Sequence, residues 1–321
     1  MRIKQVCILG GSGFVGSALA AQLDAANYQV KVLTRRREAS KHLILLPNVD
    51  VVECNVMDDA ALAAAIHGCD AVINLIGILH ESGKATFEAV HAELPRRLAS
   101  ICRAQGVQRL LHMSALHASR DAPSAYLRSK AAGEAHVIAP ASPDASTEAL
   151  QVTVFRPSVI FGRGDKFLNM FAKLVKLLPV ILLAKPGAKF QPIYVEDVAQ
   201  VFVKSLEHID TIGQCYDLCG PKVYTLRELV QMVADMLGVK RCIVGLNDQL
   251  SYLQAYAMEL LPVKLMTRDN LYSMQIDSVC ACDFPAIFGI EPTAIEAVVP
   301  DYLAGGRPRN AYDRYRRQAG R

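Results

Sequence analysis

Tyr126 and Lys130 stand four residues apart inside a helical pattern, which puts a phenol and an ammonium on one helix face, one turn from each other. A phenol near pKa 10 is a poor proton carrier at neutral pH. An ammonium within about 4 to 6 Å stabilises its phenolate, so the pair is sufficient for proton transfer. Upstream, Leu111-His112-Met113-Ser114-Ala115 closes an apolar strand pattern, and the Ser114 hydroxyl is placed to donate toward a substrate carbonyl. A different chemistry belongs to Gly10, Gly13 and Gly16, spaced G-x-x-G-x-x-G directly after the apolar run Val6-Cys7-Ile8-Leu9. Glycines there remove the Cβ atoms that would block a pyrophosphate. The N–H groups opening the next helix, at Phe14, Val15 and Gly16, then face the phosphate charge.

These groups need a scaffold. Short apolar runs alternate with helical stretches through the first half, the sequence form of a parallel sheet covered on both faces. Strands are expected near Ile3 to Leu9, Gln29 to Thr34, Val49 to Glu53, Ala71 to Leu75, Arg109 to Met113 and Gln151 to Phe155. Helices are expected near Phe14 to Ala26, Asp58 to Ile66, Thr86 to Gln105 and Tyr126 to Val137. The fold class is α/β, a Rossmann-type doubly wound parallel sheet with a smaller C-terminal substrate lobe. Boundaries fall at 1–160 for the nucleotide-binding domain, 161–305 for a mixed lobe with elements returning to the core, and 306–321 for a basic tail.

In such a sheet the end of the second strand meets the adenosine ribose, where an acidic residue favours NAD(H). Thr34-Arg35-Arg36-Arg37 occupies that place. A hydroxyl and a guanidinium fork bond a 2′-phosphate, so NADP(H) is expected over NAD(H), with Arg35 as first choice and Arg36 as second. The third strand leads into Asn55-Val56, where an amide meets the adenine edge. The fourth leads into Leu75-Ile76-Gly77, where glycine lets the backbone approach the cofactor.

At 321 residues and 52% apolar the chain buries a large core, and global disorder is excluded. Nothing before the glycine turn reads as a signal segment, so Met1 is expected to begin the mature chain. The nine cysteines are scattered without paired knuckles and read as free thiols in a reducing cytoplasm; no metal site is expected. The net charge of +4 resides in the tail, where Arg307 to Arg321 holds six arginines against one aspartate. Nucleic-acid binding is disfavoured, because no basic stripe with interleaved aromatics appears in the folded part. Leu174 to Leu183 is intensely apolar, yet Pro179 and its flanking lysines make it too short to span a bilayer. It reads first as a core helix and buried strand, and second as an amphipathic surface touching lipid or an apolar ligand. Either that segment or the tail is the place for a peripheral membrane or protein-complex contact.

The glycine motif, Asn74-Leu75-Ile76-Gly77, Tyr126-Leu127-Arg128-Ser129-Lys130 and Arg156-Pro157-Ser158-Val159-Ile160-Phe161-Gly162 occur in this order. Together they resemble an extended or atypical short-chain dehydrogenase/reductase. Gly164-Asp165-Lys166-Phe167, Gln191-Pro192-Ile193-Tyr194-Val195-Glu196-Asp197 and Gly220-Pro221-Lys222 narrow the resemblance to bacterial relatives of the dinucleotide-binding accessory subunit of mitochondrial complex I. The resemblance covers roughly residues 3 to 300. It implies that Lys130 binds the nicotinamide ribose and lowers the Tyr126 pKa, that Tyr126 moves the substrate proton, and that Pro157 borders the cofactor. It also implies hydride transfer on a carbonyl or hydroxyl of an apolar or quinone-like small molecule. Two departures stand out: many extended members carry a second hydroxyl where this chain has Ala115, and His91 replaces an asparagine. Two alternatives follow, a subunit that holds nucleotide tightly without turning it over and a sugar-nucleotide epimerase or dehydratase.

Overall fold

The computed structural model describes residues 3–139, 150–261 and 265–303. The proline- and serine-rich stretch after Ala139 and the basic tail from residue 306 lie outside the described residues. Nine strands are labelled here: β1 Gln5–Leu9, β2 Gln29–Thr34, β3 Val49–Glu53, β4 Ala71–Asn74, β5 Arg109–Met113, β6 Gln151–Pro157, β7 Val180–Leu183, β8 Cys215–Leu218 and β9 Cys242–Gly245. The main helices are α1 Phe14–Ala25, α2 Asp59–Ile66, α3 Leu94–Ala104, α4 Ala125–Ile138, α5 Phe167–Leu177, α6 Val195–Glu207, α7 Leu226–Met236 and α8 Asp248–Glu259.

Two compact units divide the chain. The first runs through Pro157 and takes in Val195–Leu218 and Cys280–Ile290; the second comprises Ser158–Tyr194, Cys219–Val279 and the chain from Glu291. In the first, seven strands form one parallel sheet in the order β8-β6-β5-β4-β1-β2-β3. The middle strand β4 is buried at every residue, as a sheet covered on both faces requires. The order reverses between β1 and β4, and a doubly wound sheet opens its ligand crevice at the carboxyl ends of the strands flanking that point. Strand β8 carries no apolar run of its own, and it joins the sheet only by pairing Cys215–Leu218 with Val154–Pro157.

Local chemistry starts the helices. Asp58 accepts from Ala60 N and Ala61 N at the start of α2, and Ser124 accepts from Leu127 N at the start of α4. The expected helix Thr86 to Gln105 is interrupted: Glu88–Glu93 is a π turn, and α3 begins at Leu94. Pro95 has no N–H to give to the carbonyl four residues back, that of His91, and its ring crowds that position, so the turn widens. Helix α4 lies against the same carbonyl. A Cβ on Gly133 would sit 2.0 Å from His91 O.

In the second unit α5 and α7 share a core with Phe161, Ile181 and Leu183, and β7 pairs with β9 in parallel. Leu174 to Leu183 departs from its first reading as wholly core. Val175, Ile181 and Leu183 are buried, whereas Leu177, Leu178, Val180 and Leu182 are exposed, because a strand alternates faces and the last helical turn projects outward. The expectation of nine free thiols is corrected at Cys219 and Cys280, each of which is disulfide-bonded. The spacing in sequence gave no sign of either, since disulfide geometry depends on how distant segments meet. No helix among the described residues is long and apolar enough to cross a membrane.

Candidate functional site

Gly10 ends β1 with φ +80°, a left-handed conformation that glycine adopts without strain. Its missing Cβ lets the turn approach the end of β4, where such an atom would sit 3.2 Å from Ile76 N and Leu75 C. Gly13 precedes α1 without a side-chain cap, and no acidic residue occupies the first turn. Ser17 N is the first helical amide bonded within the helix, to Gly13 O at 2.9 Å. The N–H groups of Phe14, Val15 and Gly16 therefore have no intrahelical acceptor and sit at the positive end of the helix dipole. Gly16 serves packing: a Cβ there would meet Gly10 O and Gly11 Cα at 2.4 Å, both backbone atoms that cannot swing aside. This turn has the open amides and Cβ-free backbone that a diphosphate requires, and the residues present fit a dinucleotide. Gly16→Ala is expected to lower stability by about 2 kcal/mol and nucleotide affinity at least tenfold. Urea unfolding and calorimetric titration measure the two effects separately.

At the carboxyl end of β2, Thr34 is buried, and its hydroxyl contacts the backbone N and O of Arg36 at 3.3 and 3.4 Å, which fixes the turn. Arg37 donates Nε–H to Val51 O at 3.1 Å. Arg35 and Arg36 are exposed, and among the described residues neither guanidinium has an acceptor. Beyond β3, the Asn55 side-chain oxygen accepts from Met57 N at 3.2 Å, leaving its amide N–H groups outward, while Val56 packs on the core. Leu75 N continues the ladder to Leu9 O, Gly77 is exposed, and Pro157 is buried with its carbonyl accepting from Leu116 N.

The Tyr126 ring lies edge-on to Phe87 and to His91, with centroids 5.9 and 5.4 Å away. Burial pushes its phenol up to about 12. Lys130 is buried and gives Nζ–H to Met113 O at 2.9 Å. Burial lowers its ammonium to about 8, against the opposing pull of Glu134, one turn further along α4. Glu134 is itself held by the Arg156 fork at 2.9 and 2.5 Å. A Cβ on Gly77 would lie 3.6 Å from both Lys130 Nζ and His91 Nε2, so the exposed glycine backbone, the ammonium and the imidazole line one small space. The implied lowering of the Tyr126 pKa by Lys130 is not seen in this arrangement. Desolvation alone sets the phenol's shift, and the lysine is turned toward a carbonyl. The Ser114 side chain is buried, and its Oγ finds no hydrogen-bond partner among the described residues. A buried orphan hydroxyl is costly unless something else completes it.

His91 is held by the backbone. Ile78 N–H donates to Nε2 at 2.9 Å, which leaves the proton on Nδ1 facing Ser129 Oγ at 2.9 Å, and Ser129 donates to Tyr126 O. Burial, reinforced by the Lys130 charge, holds its pKa down at about 3. His112, missed by the sequence reading, is buried beside Asn74 Nδ2 at 3.2 Å, and burial with Lys130 and His91 keeps it well below the usual imidazole range. An imidazole that stays neutral when folded and protonates near 6.5 when unfolded stabilises the fold above 6.5 and loses that contribution as pH falls toward 3. Between pH 7 and 5 the wild type should therefore lose about 2 kcal/mol more stability than His91→Asn. Urea unfolding at the two pH values checks this, and equal losses in both proteins would contradict a neutral buried His91.

Comparison with known proteins places this geometry. The model of the NAD dependent epimerase/dehydratase family matches residues 6–219. A protein of Arabidopsis thaliana, "NADH dehydrogenase [ubiquinone] 1 alpha subcomplex subunit 9, mitochondrial", is 35% identical over 72% of this chain, and the match spans 57% of its own length. The Rattus norvegicus protein of the same name is 30% identical over 90% of this chain and 77% of its own. Among solved structures, the dTDP-glucose 4,6-dehydratase DesIV from Streptomyces venezuelae, with NAD and TYD bound, superimposes with a TM-score of 0.72. That likeness covers 96% of this chain and 98% of DesIV, and at 19% identity it shows the fold. The glycine turn, the doubly wound sheet and the matched span together show that this chain belongs to the NAD dependent epimerase/dehydratase family.

Proposed function

We propose that the chain binds NADP(H) and uses it to reduce a carbonyl on an apolar, quinone-like small molecule. The observation that carries this reading is the uncapped first turn of α1 together with two unengaged guanidinium groups at the end of β2. Gly10, Gly13 and the amides of Phe14, Val15 and Gly16 would take the diphosphate, and Arg35 with Arg36 the 2′-phosphate, over a turn fixed by Thr34. Asn55 and Val56 would flank the adenine; Leu75, Ile76, Gly77, Pro157 and Lys130 would line the nicotinamide end. The bound nicotinamide supplies or accepts a hydride.

The remaining steps belong to the chain. A phenol held near 12 is protonated at neutral pH, so Tyr126 acts as the proton donor to a substrate oxygen, which favours reduction over oxidation. Ser114 offers its orphan hydroxyl to the same oxygen, which would satisfy it. Lys130 keeps a positive charge beside Gly77 and is anchored by Met113 O. Phe87 stacks on the His91 ring beside this site, with centroids 5.4 Å apart. Calorimetry with NADPH and NADH, followed by NADPH oxidation with a panel of quinones and aldehydes, tests the reading. Absence of heat with either nucleotide would overturn it.

A second reading has its own support. Burial holds the Tyr126 phenol up while Lys130 gives its Nζ–H to Met113 O, and the relatives above are named as NADH dehydrogenase subunits. In that reading the chain holds its nucleotide as part of a respiratory or quinone-related assembly, and occupancy stabilises the fold by mass action. Stoichiometric nucleotide that resists dialysis, with no turnover, would favour it. In either reading the chain works at the periphery of a membrane or complex, reached through Leu174 to Leu183 or the basic tail.

A further inference from the structure

The second unit presents an apolar face that its own core does not use. In the parallel pair β7–β9, Val180 stands opposite Cys242 and Leu182 opposite Val244, and these four residues are exposed while Ile181 and Leu183 point into the core. Helix α8 adds a second row. Ser251 and Ala255 bury its inner side, whereas Leu250, Leu253, Ala257 and Leu260 recur at i, i+3, i+7 and i+10 on its outer side. Leu253 is 60% exposed and Leu260, the C-cap residue, 72%. Gln254 Nε2 donates to Leu182 O at 2.9 Å, which sets the helix stripe beside the strand row and makes the two one surface.

Charge is distributed around this surface. Between Asn247 and Leu261 the acidic residues are Asp248 and Glu259, and they are neutralised by Lys185 at 2.8 Å and Arg268 at 2.9 Å. Among the described residues Lys173 and Lys176 on α5 and Lys240 before β9 are exposed and take part in no ion pair, while Asp235 near Lys240 is bonded to the Gln231 amide at 2.8 Å. Arg241 holds the two elements together by donating to Val175 O at 2.6 Å. Tyr252 and Tyr256, both exposed, flank the leucines with an apolar ring and a polar tip. A recess of about 460 Å³ is lined by Met170, Leu174 and Leu265 together with Asp165, Lys166 and Lys173.

We infer that this face, formed by β7, β9 and α8 with the α5 lysines at its rim, docks on the surface of an anionic lipid bilayer. Leucines without interspersed charge, tyrosines at the margin and a lysine rim match the acyl boundary, the interface and the headgroups of such a membrane. A protein partner of ordinary polarity would leave the unpaired lysines facing an apolar patch. The inference extends the peripheral contact proposed above from Leu174 to Leu183 onto β9 and α8, and a failure of nucleotide binding would leave it untouched.

The test is flotation of the full chain with vesicles of phosphatidylcholine containing 30% phosphatidylglycerol, and with phosphatidylcholine alone. Binding to the anionic vesicles is expected to exceed binding to neutral ones at least tenfold. Leu253→Asp with Leu260→Asp should lower the partition coefficient at least tenfold, and Lys173→Glu with Lys176→Glu and Lys240→Glu should do the same. NADPH affinity and thermal unfolding, read alongside, should stay as in the wild type. If the aspartates unfold the second unit, Leu253→Ser with Leu260→Ser provides the milder variant. Binding that survives both sets, carried by the arginines from Arg307 onward, would overturn the inference. So would a soluble dimer that Leu253→Asp splits into monomers, because the face would then join two copies of the chain.

Discussion

Tyr126→Phe is expected to lower NADPH-dependent reduction of a responsive quinone or aldehyde by 10²- to 10⁴-fold, with the NADPH Kd unchanged. The substitution deletes one oxygen from a ring set edge-on to the stacked Phe87 and His91 rings, so packing is retained and the loss is confined to proton delivery. A general acid near 12 also fixes the pH behaviour. Reduction should stay nearly flat from pH 6 to 7 in the wild type and fall as Lys130, lowered to about 8, gives up its charge, whereas the reverse oxidation, which needs the Tyr126 phenolate, should gain from rising pH. Equal rates for wild type and variant would remove Tyr126 from the chemistry. A protein that retains tightly held nucleotide and turns over nothing, with or without the phenol, would establish the holding role instead.

The second large effect concerns cofactor choice. Arg35→Ala should weaken NADPH about 30-fold and NADH less than twofold, because a charge-assisted bond to a phosphate contributes about 2 kcal/mol and NADH lacks that phosphate. Adding Arg36→Ala should widen the NADPH loss to more than 100-fold. Arg37→Ala is the control, since its guanidinium is engaged with the Val51 carbonyl. Equal losses for the two nucleotides would refute the assignment of the 2′-phosphate to this loop. Salt gives an independent reading, because the preference for NADPH should shrink as ionic strength rises.

These expectations rest on different depths of information. The β1 turn, the six strands from β1 to β6 and the helices near them were legible from the sequence because each is written in neighbouring residues. Glycine at a left-handed position, apolar runs between polar turns and N-caps such as Asp58 and Ser124 act over a few residues and need no knowledge of the rest. The Tyr126–Lys130 spacing was legible in the same way. The chain also determined where the guanidinium groups fall relative to the strand that carries them.

Other features depended on which segments meet. Nothing near Arg109 announces that its guanidinium is buried against Thr153, Thr211 and the Ser205 carbonyl, residues that only the assembled sheet and α6 bring together. The π turn within the Thr86 to Gln105 stretch lies where Gly133 of α4 meets the His91 carbonyl, a contact between segments far apart in the chain. Strand β8 became a strand by pairing, and Leu182 turned outward while Leu183 turned inward because β7 exposes one face. For the site, sequence named the phenol, the ammonium and the hydroxyl, but tertiary packing set their proton affinities. Burial raised Tyr126, lowered Lys130 and kept His91 and His112 neutral, since the free energy of a charge depends on the atoms around it and those come from distant parts of the chain.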